Sequence, residues 1–71
     1  MSDSVYRVID VVGTSDESWE AAARTAVQTA STSLRDLRVA EVTKLDVLID
    51  NGNIVRFRAR LNLSFKYEGG V

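Results

Sequence analysis

Residues 38–67 read RVAEVTKLDVLIDNGNIVRFRARLNLSFKY, and this stretch decides the fold. At its centre stands Asn51-Gly52, a dipeptide that strongly favours a two-residue type I′ turn because both positions of that turn need a positive φ. The flanking segments, Arg38 to Asp50 and Asn53 to Tyr67, are therefore predicted to be the two antiparallel strands of a β-hairpin.

The second strand of this hairpin alternates between apolar and polar residues, as a strand with one buried face does. Its polar face carries three arginines, Arg56, Arg58 and Arg60. Carboxylates for these arginines lie on the other strands, so we predict ion pairs across strands or between subunits rather than a phosphate-binding surface. These carboxylates are Asp10, Glu41 and Asp46. The predicted core face consists of Val55, Phe57, Ala59, Leu61, Leu63, Phe65 and Tyr67.

Before the hairpin, apolar residues recur at helical spacing from Trp19 to about Leu37. The predicted buried face of this helix is mostly alanine, which lets a sheet approach the helix axis closely. An earlier segment, Val5 to Val12, is rich in β-branched residues, ends at Gly13 and is predicted to be a strand. The order β-α-β-β predicts an α+β fold in which a three-stranded antiparallel sheet wraps around one helix. The whole chain, residues 1–71, is predicted to be one domain.

The composition limits how such a small protein can be stabilised. A chain of 71 residues buries only about 60% of its unfolded surface. The absence of Cys and His removes disulfides and all thiolate or imidazole metal sites. Oligomerisation, or an ion held by oxygen ligands, is what remains.

Charge and hydropathy exclude several classes of function. A formal net charge of −1 gives no field that would gather nucleic acid or an anionic membrane. No apolar run approaches the ~18 residues of a membrane span, and the N-terminal MSDS is polar, so we expect a cytoplasmic protein. Without His, Cys, a phosphate-binding loop or a nucleophile elbow, the sequence predicts no enzyme.

Residues 13–19, GTSDESW, join the first strand to the helix and contain the best candidate site. Hydroxyls and carboxylates here fit a helix start: Thr14 and Glu17 have capping-box spacing, and Ser15 or Ser18 are alternative caps. Trp19, on the apolar face of the first turn, is predicted to anchor the core or an interface.

The same segment offers more oxygen atoms than one helix cap requires. Ser15, Asp16, Glu17 and Glu20 are hard oxygen ligands of the kind that calcium prefers. The positive end of the helix dipole opposes a cation at this place. The surplus of oxygen ligands nevertheless leads us to predict a divalent cation site, for calcium, that coexists with the helix cap.

Three segments together resemble the dodecins: VYRVIDVVGTSDESWEAAARTAV at 5–27, SLRDLRVAEV at 33–42 and FRARLNLSFKYE at 57–68. The resemblance runs from Tyr6 to Glu68, and its strand-GTS-helix part is the most specific. It implies a β-α-β-β protomer whose sheet wraps the helix, and a hollow homododecamer. This agrees with the need for oligomerisation that the composition indicates.

Most dodecins bind flavins through a tryptophan early in the second strand and a glutamine in the third. The corresponding positions here are Val39 and Arg58. Valine has no aromatic face for stacking, and arginine has no acceptor. The chain is thus similar to the calcium-binding dodecins that lack this tryptophan. It is predicted to be a non-enzymatic calcium-binding or storage shell; the alternatives are a flavin-binding dodecin and a purely structural or interaction shell.

Overall fold

The computed structural model describes residues 3–66, which form three strands and one helix. The elements are β1 (Tyr6–Ser15), α1 (Trp19–Ala30), β2 (Leu37–Asp50) and β3 (Asn53–Lys66). β3 lies in the centre of the sheet and pairs antiparallel with β1 on one side and β2 on the other. The predicted α+β fold is confirmed, while the predicted core position Tyr67 lies outside the described residues.

The turn between β2 and β3 has the predicted conformation. Asn51 has φ of 54° and Gly52 has φ of 80°, so both central residues adopt the left-handed region that a type I′ turn needs. Asp50 pairs with Asn53 directly beside the turn. The Asn-Gly dipeptide therefore sets the register of the hairpin.

The core lies where α1 crosses β1 and β3. Among residues 3–66, only two large side chains are fully buried, and both come from the centre of β3. Val55 was predicted to belong to this core but is 47% exposed, because it precedes the part of β3 that α1 covers. The buried residues are Ala22, Ala26, Ala59, Leu61 and Leu63.

Gly13 lets the helix and β1 approach each other closely. A Cβ atom at this position would overlap the carbonyl oxygen of Ala22 and lie 2.9 Å from Cβ of Ala26. The sequence predicted that β1 ends at Gly13, and this is wrong. The strand continues two residues further, to Ser15, and these residues still pair with β3. The glycine therefore serves the helix contact and is not a strand terminator.

The helix ends earlier than predicted, at Ala30 rather than near Leu37. The hydroxyls of Ser31, Thr32 and Ser33 donate to the backbone carbonyls three residues before them, at 2.9, 2.7 and 3.4 Å. These bonds satisfy the carbonyls that end a helix and favour a turn over another helical repeat. Leu34 and Leu37 continue the helical spacing of apolar residues, but both lie beyond the end of the helix, and Leu37 is the first residue of β2.

The protomer is elongated, with extents of 53 × 20 × 18 Å and a radius of gyration of 14.7 Å. A compact chain of this length would have a radius of gyration of about 11 Å. β1 ends at Ser15, opposite Phe57, so residues 48–56 extend past it as a two-stranded hairpin tip. Within residues 3–66, no helix is long and apolar enough to cross a membrane.

Candidate functional site

The loop between β1 and α1 is held by two serine hydroxyls. Ser15 Oγ accepts a hydrogen bond from the backbone N–H of Glu17 at 2.9 Å, which closes a short turn. Ser18 Oγ accepts from the backbone N–H of Ala21 at 3.0 Å and is the helix N-cap. Of the three candidate caps, the structure selects Ser18, because Thr14 and Ser15 still belong to β1.

The four predicted calcium ligands lie on one segment around this turn. Asp16, Glu17 and Glu20 are exposed, and Ser15 is half-buried. Glu20 stands in the first turn of α1, where the helix dipole favours its negative charge. In the described part of the chain, 3–66, no three acidic side chains converge on one point. A single protomer therefore presents these oxygens on an open surface.

Trp19 fastens the start of α1 to the hairpin. Its indole Nε1–H donates to the backbone carbonyl of Asp46 at 3.0 Å, and its ring meets Phe57 edge to face with centroids 5.2 Å apart. The side chain is still 39% exposed. The residue is thus an anchor, as predicted, and keeps an uncovered apolar surface.

The other side of the sheet carries the arginine row, and two of its members form the predicted cross-strand ion pairs. Arg58 binds Asp46 through two parallel hydrogen bonds of 2.7 and 3.1 Å. Arg60 reaches Asp10 at 3.4 Å. The hydrogen bonds and charge of Arg58 hold the pKa of Asp46 below its ordinary value of 3.8, with a smaller contribution from Lys44. The same pair raises the pKa of Arg58.

Replacing Asp46 with Asn should flatten the acid dependence of stability. The pKa of Asp46 is lowered in the folded state, so its ion pair stabilises the fold above about pH 4 and is lost as the pH falls through the lowered pKa. Thermal melts between pH 6 and pH 2.5 should show a smaller loss of Tm for Asp46→Asn than for wild type. Glu41→Asn is the control, and an equal loss of Tm in Asp46→Asn and wild type would contradict the assignment.

The two positions that correspond to flavin contacts do not meet within one protomer. Val39 pairs with Ser64, whereas Arg58 lies six residues away from Ser64 on β3, roughly 20 Å along the strand. Val39 is 56% exposed, and one edge of the Arg58 guanidinium, formed by Nε and Nη2, is engaged by Asp46. A ligand touching both positions would have to lie between subunits.

The sequence analysis did not predict a groove beside Trp19. This Trp19 groove encloses about 410 Å³ and lies between the first turns of α1 and the middle of β2. It exists because α1 covers β1 and β3 and leaves much of β2 bare, so that Val42 and Leu45 are 48% and 53% exposed. A bulge between Val42 and Lys44 interrupts the alternation of β2, which hides this apolar face in the sequence. Its lining residues are Trp19, Glu20, Ala23, Val42 and Leu45.

Comparison with known protein families gives a match that covers most of the chain. The family model for the dodecins matches residues 5–68. Among curated relatives, the calcium dodecin of Mycobacterium tuberculosis is 49% identical over 63 residues, which are 89% of each chain. The dodecin of Thermus thermophilus is 33% identical over 64 residues, 90% of this chain and 93% of that one.

Solved structures show the same architecture. The dodecin of Streptomyces coelicolor superposes with a TM-score of 0.90 and 40% identity, covering 99% of this chain and all of that one. The calcium dodecin of Mycobacterium tuberculosis, described as a calcium-chelating immunodominant antigen with a novel calcium-binding site, has a TM-score of 0.83 and 46% identity. It covers 96% of this chain and 97% of its own.

Proposed function

Because the chain belongs to the dodecin family, we propose that it is a non-enzymatic calcium-binding or storage protein of the cytoplasm that assembles as a hollow homododecamer. The observation that carries this proposal is the 49% identity with a relative named for calcium, over 89% of both chains. A solved structure of a calcium dodecin, 46% identical, supports it further. The lack of cysteine fits a reducing compartment.

The protomer itself supports assembly. Its core contains five buried residues, and twelve large apolar side chains in the described part of the chain are exposed, from Val5 to Val55. Monomeric proteins rarely leave that much apolar surface in contact with water. Neighbouring copies of the chain would cover it, as the family assignment leads us to expect.

For the calcium site we propose Ser15, Asp16, Glu17 and Glu20. Calcium takes six to eight oxygen ligands, and carboxylates are the strongest of them in proteins. The segment supplies three carboxylates within five residues and a serine turn that fixes their spacing. Because these groups lie on an open surface, the remaining ligands would come from water or from a second subunit.

Replacing Glu17 and Glu20 with Gln should weaken calcium binding at least tenfold. Each change removes one negative charge and one bidentate oxygen pair while leaving the size of the side chain unchanged. Isothermal titration calorimetry of the chelated protein with calcium is the measurement. Glu41→Gln, an exposed position on β2, is the matched control for the change in charge. Unchanged affinity in the double variant would remove Glu17 and Glu20 from the site.

A flavin-binding function is the competing proposal for a member of this family. The substitutions at Val39 and Arg58 count against it. Val39 cannot replace the aromatic ring that stacks on the flavin, and Arg58 cannot replace the glutamine amide as a hydrogen-bond acceptor. Titration of riboflavin, followed by quenching of its fluorescence, tests it directly. We expect no saturable quenching. A purely structural shell would bind neither riboflavin nor calcium.

A further inference from the structure

The asparagine at the hairpin turn differs chemically from the other two asparagines of the chain. Asn51 is followed by a glycine, whereas Asn53 and Asn62 are followed by branched residues. Asparagine is thermolabile because the backbone nitrogen of the next residue can attack its side-chain carbonyl carbon. A glycine at the next position has no side chain to hinder that attack. The dipeptide that forms the turn is therefore also the most reactive asparagine of the sequence.

The structure leaves this dipeptide open to water. Asn51 and Gly52 are both exposed. Apart from its chain neighbours, no atom lies within 4 Å of the place where a Cβ of Gly52 would stand. Within residues 3–66, the side-chain amide of Asn51 makes no hydrogen bond that would hold it in place. Neither contact nor burial thus protects the amide group.

We propose that Asn51 is a modification site at which the protein deamidates spontaneously. The backbone nitrogen of Gly52 gives up its proton to water and forms a bond to Cγ of Asn51. The bond between Cγ and Nδ2 breaks, and the amide nitrogen takes up a proton and leaves as ammonia, so a cyclic imide remains. Water then opens the ring: addition at Cγ gives aspartate, and addition at the backbone carbonyl carbon gives isoaspartate. Water is the only co-reactant, and no oxidant or reductant is needed.

The conformation of the turn restrains this reaction. The φ values of Asn51 and Gly52, 54° and 80°, are those of a type I′ turn, in which the first central residue has ψ of about +30°. At this ψ, the nitrogen of Gly52 and Cβ of Asn51 lie on nearly opposite sides of the bond between Cα and the carbonyl carbon. Ring closure needs both atoms on the same side. The turn must therefore open before the nitrogen can attack.

The hairpin tip, residues 48–56, is the part of the sheet where such opening costs least. Its two strands pair only with each other, because β1 ends at Ser15, opposite Phe57. Ile49 and Ile54, which pair next to the turn, are 66% and 59% exposed. A two-stranded hairpin with little burial is marginally stable, and such segments open without global unfolding. Opening of the tip thus sets the rate of deamidation in the folded protein.

The two products affect the hairpin differently. Asp-Gly favours the same type I′ turn as Asn-Gly, so the aspartate product keeps the turn and adds a negative charge beside Asp50. Isoaspartate inserts the Cβ atom into the main chain and lengthens the turn by one atom. The pairing of Asp50 with Asn53 directly beside the turn cannot then be kept. Because this turn sets the register, isoaspartate loosens the hairpin, whatever ligand the protein binds.

Peptide mapping by mass spectrometry tests the proposed site. The assembled wild-type protein is kept for several weeks at 37 °C and neutral pH and is then digested with trypsin. Cleavage after Lys44 and Arg56 gives one peptide that contains Asn51 and Asn53, and electron-transfer fragmentation distinguishes aspartate from isoaspartate. We expect conversion at Asn51 to exceed conversion at Asn53 and Asn62 at least tenfold. Asn53 is the matched internal control, since it is also exposed and lies two residues away.

The same measurement in urea tests the role of the turn. The unfolded chain should deamidate at Asn51 at least tenfold faster than the folded protein, because its turn is always open. Equal rates would overturn the restraint by the turn. An intact Asn51 in the folded protein, after a time in which the unfolded chain is converted, would overturn the modification site itself. Conversion at Asn53 as fast as at Asn51 would overturn the role of the glycine.

A comparison of unfolding curves tests the effect on the hairpin. The isoaspartate form, separated by chromatography, should unfold at a lower urea concentration than fresh wild type. Asn51→Asp, which reproduces the other product, should unfold at nearly the wild-type midpoint because it keeps the turn. Equal midpoints of the isoaspartate form and Asn51→Asp would overturn the proposed loosening.

Discussion

Gly13→Ala should lower the free energy of unfolding by about 3 kcal/mol or more, a large part of the stability of so small a protein. The new methyl group would overlap the carbonyl oxygen of Ala22, so α1 would have to move away from β1 and β3. Overpacking of this kind costs about 3 kcal/mol or more when backbone has to shift. A chain of 71 residues has a total stability of roughly 4–10 kcal/mol. Urea unfolding followed by far-UV circular dichroism measures the loss.

Two further variants show whether the overlap is the cause. Thr14→Ala, at the next position of β1, keeps the backbone and should change the unfolding free energy by less than about 1 kcal/mol. Adding Ala26→Gly to Gly13→Ala removes the side-chain contact but not the overlap with the carbonyl of Ala22, so it should not restore stability. Wild-type stability in Gly13→Ala would show that the helix does not need this close approach.

Trp19→Ala should lower the unfolding free energy by about 2–3 kcal/mol. The loss includes the edge-to-face contact with Phe57, the hydrogen bond to the carbonyl of Asp46 and the buried part of the ring. Fully buried tryptophans lose about 3–5 kcal/mol on truncation, and this ring is 39% exposed. Because assembly adds to stability, all variants are compared by urea unfolding at one protomer concentration.

Trp19→Phe separates the hydrogen bond from the packing. The phenyl ring can still contact Phe57 but cannot donate to the Asp46 carbonyl, so a loss of about 1 kcal/mol is expected. Circular dichroism is the readout because the change removes the only tryptophan. Equal stabilities of the Phe and Ala variants would mean that the ring does not anchor α1.

The parts of the fold that could be predicted from sequence are those with a strict local signal. The Asn51-Gly52 turn needs two positive φ values, and few other residue pairs tolerate them. From Val55 onward β3 alternates between apolar and polar residues, and its centre contains the buried Ala59, Leu61 and Leu63. The alanines on the buried face of α1 correctly predicted that the sheet approaches the helix axis closely.

Other features depend on contacts that sequence spacing does not record. Leu34 and Leu37 continue the helical spacing, yet three hydroxyls at 31–33 end the helix by bonding its carbonyls. The end of β1 was placed too early because Gly13 indicated a break, whereas its purpose is to admit α1. Both errors arise where tertiary packing or local side-chain bonds outweigh periodicity.

The candidate site divides in the same way. The helix start and the anchoring role of Trp19 follow from residue types and spacing. The Trp19 groove could not be predicted, because its depth depends on which strands α1 covers, and bulges conceal the apolar face of β2. A calcium ion at Asp16, Glu17 and Glu20 would need further ligands. Ligands from another subunit depend on contacts between chains, and the spacing of residues within one chain does not reveal those contacts.

Native mass spectrometry tests the central claim most directly. The protein is measured after chelation and again after addition of calcium or riboflavin. We predict a twelve-subunit mass that gains calcium in a fixed ratio and gains no riboflavin. A twelve-subunit mass that gains riboflavin and no calcium would contradict the proposed ligand, and a monomer or dimer under all conditions would contradict the proposed shell.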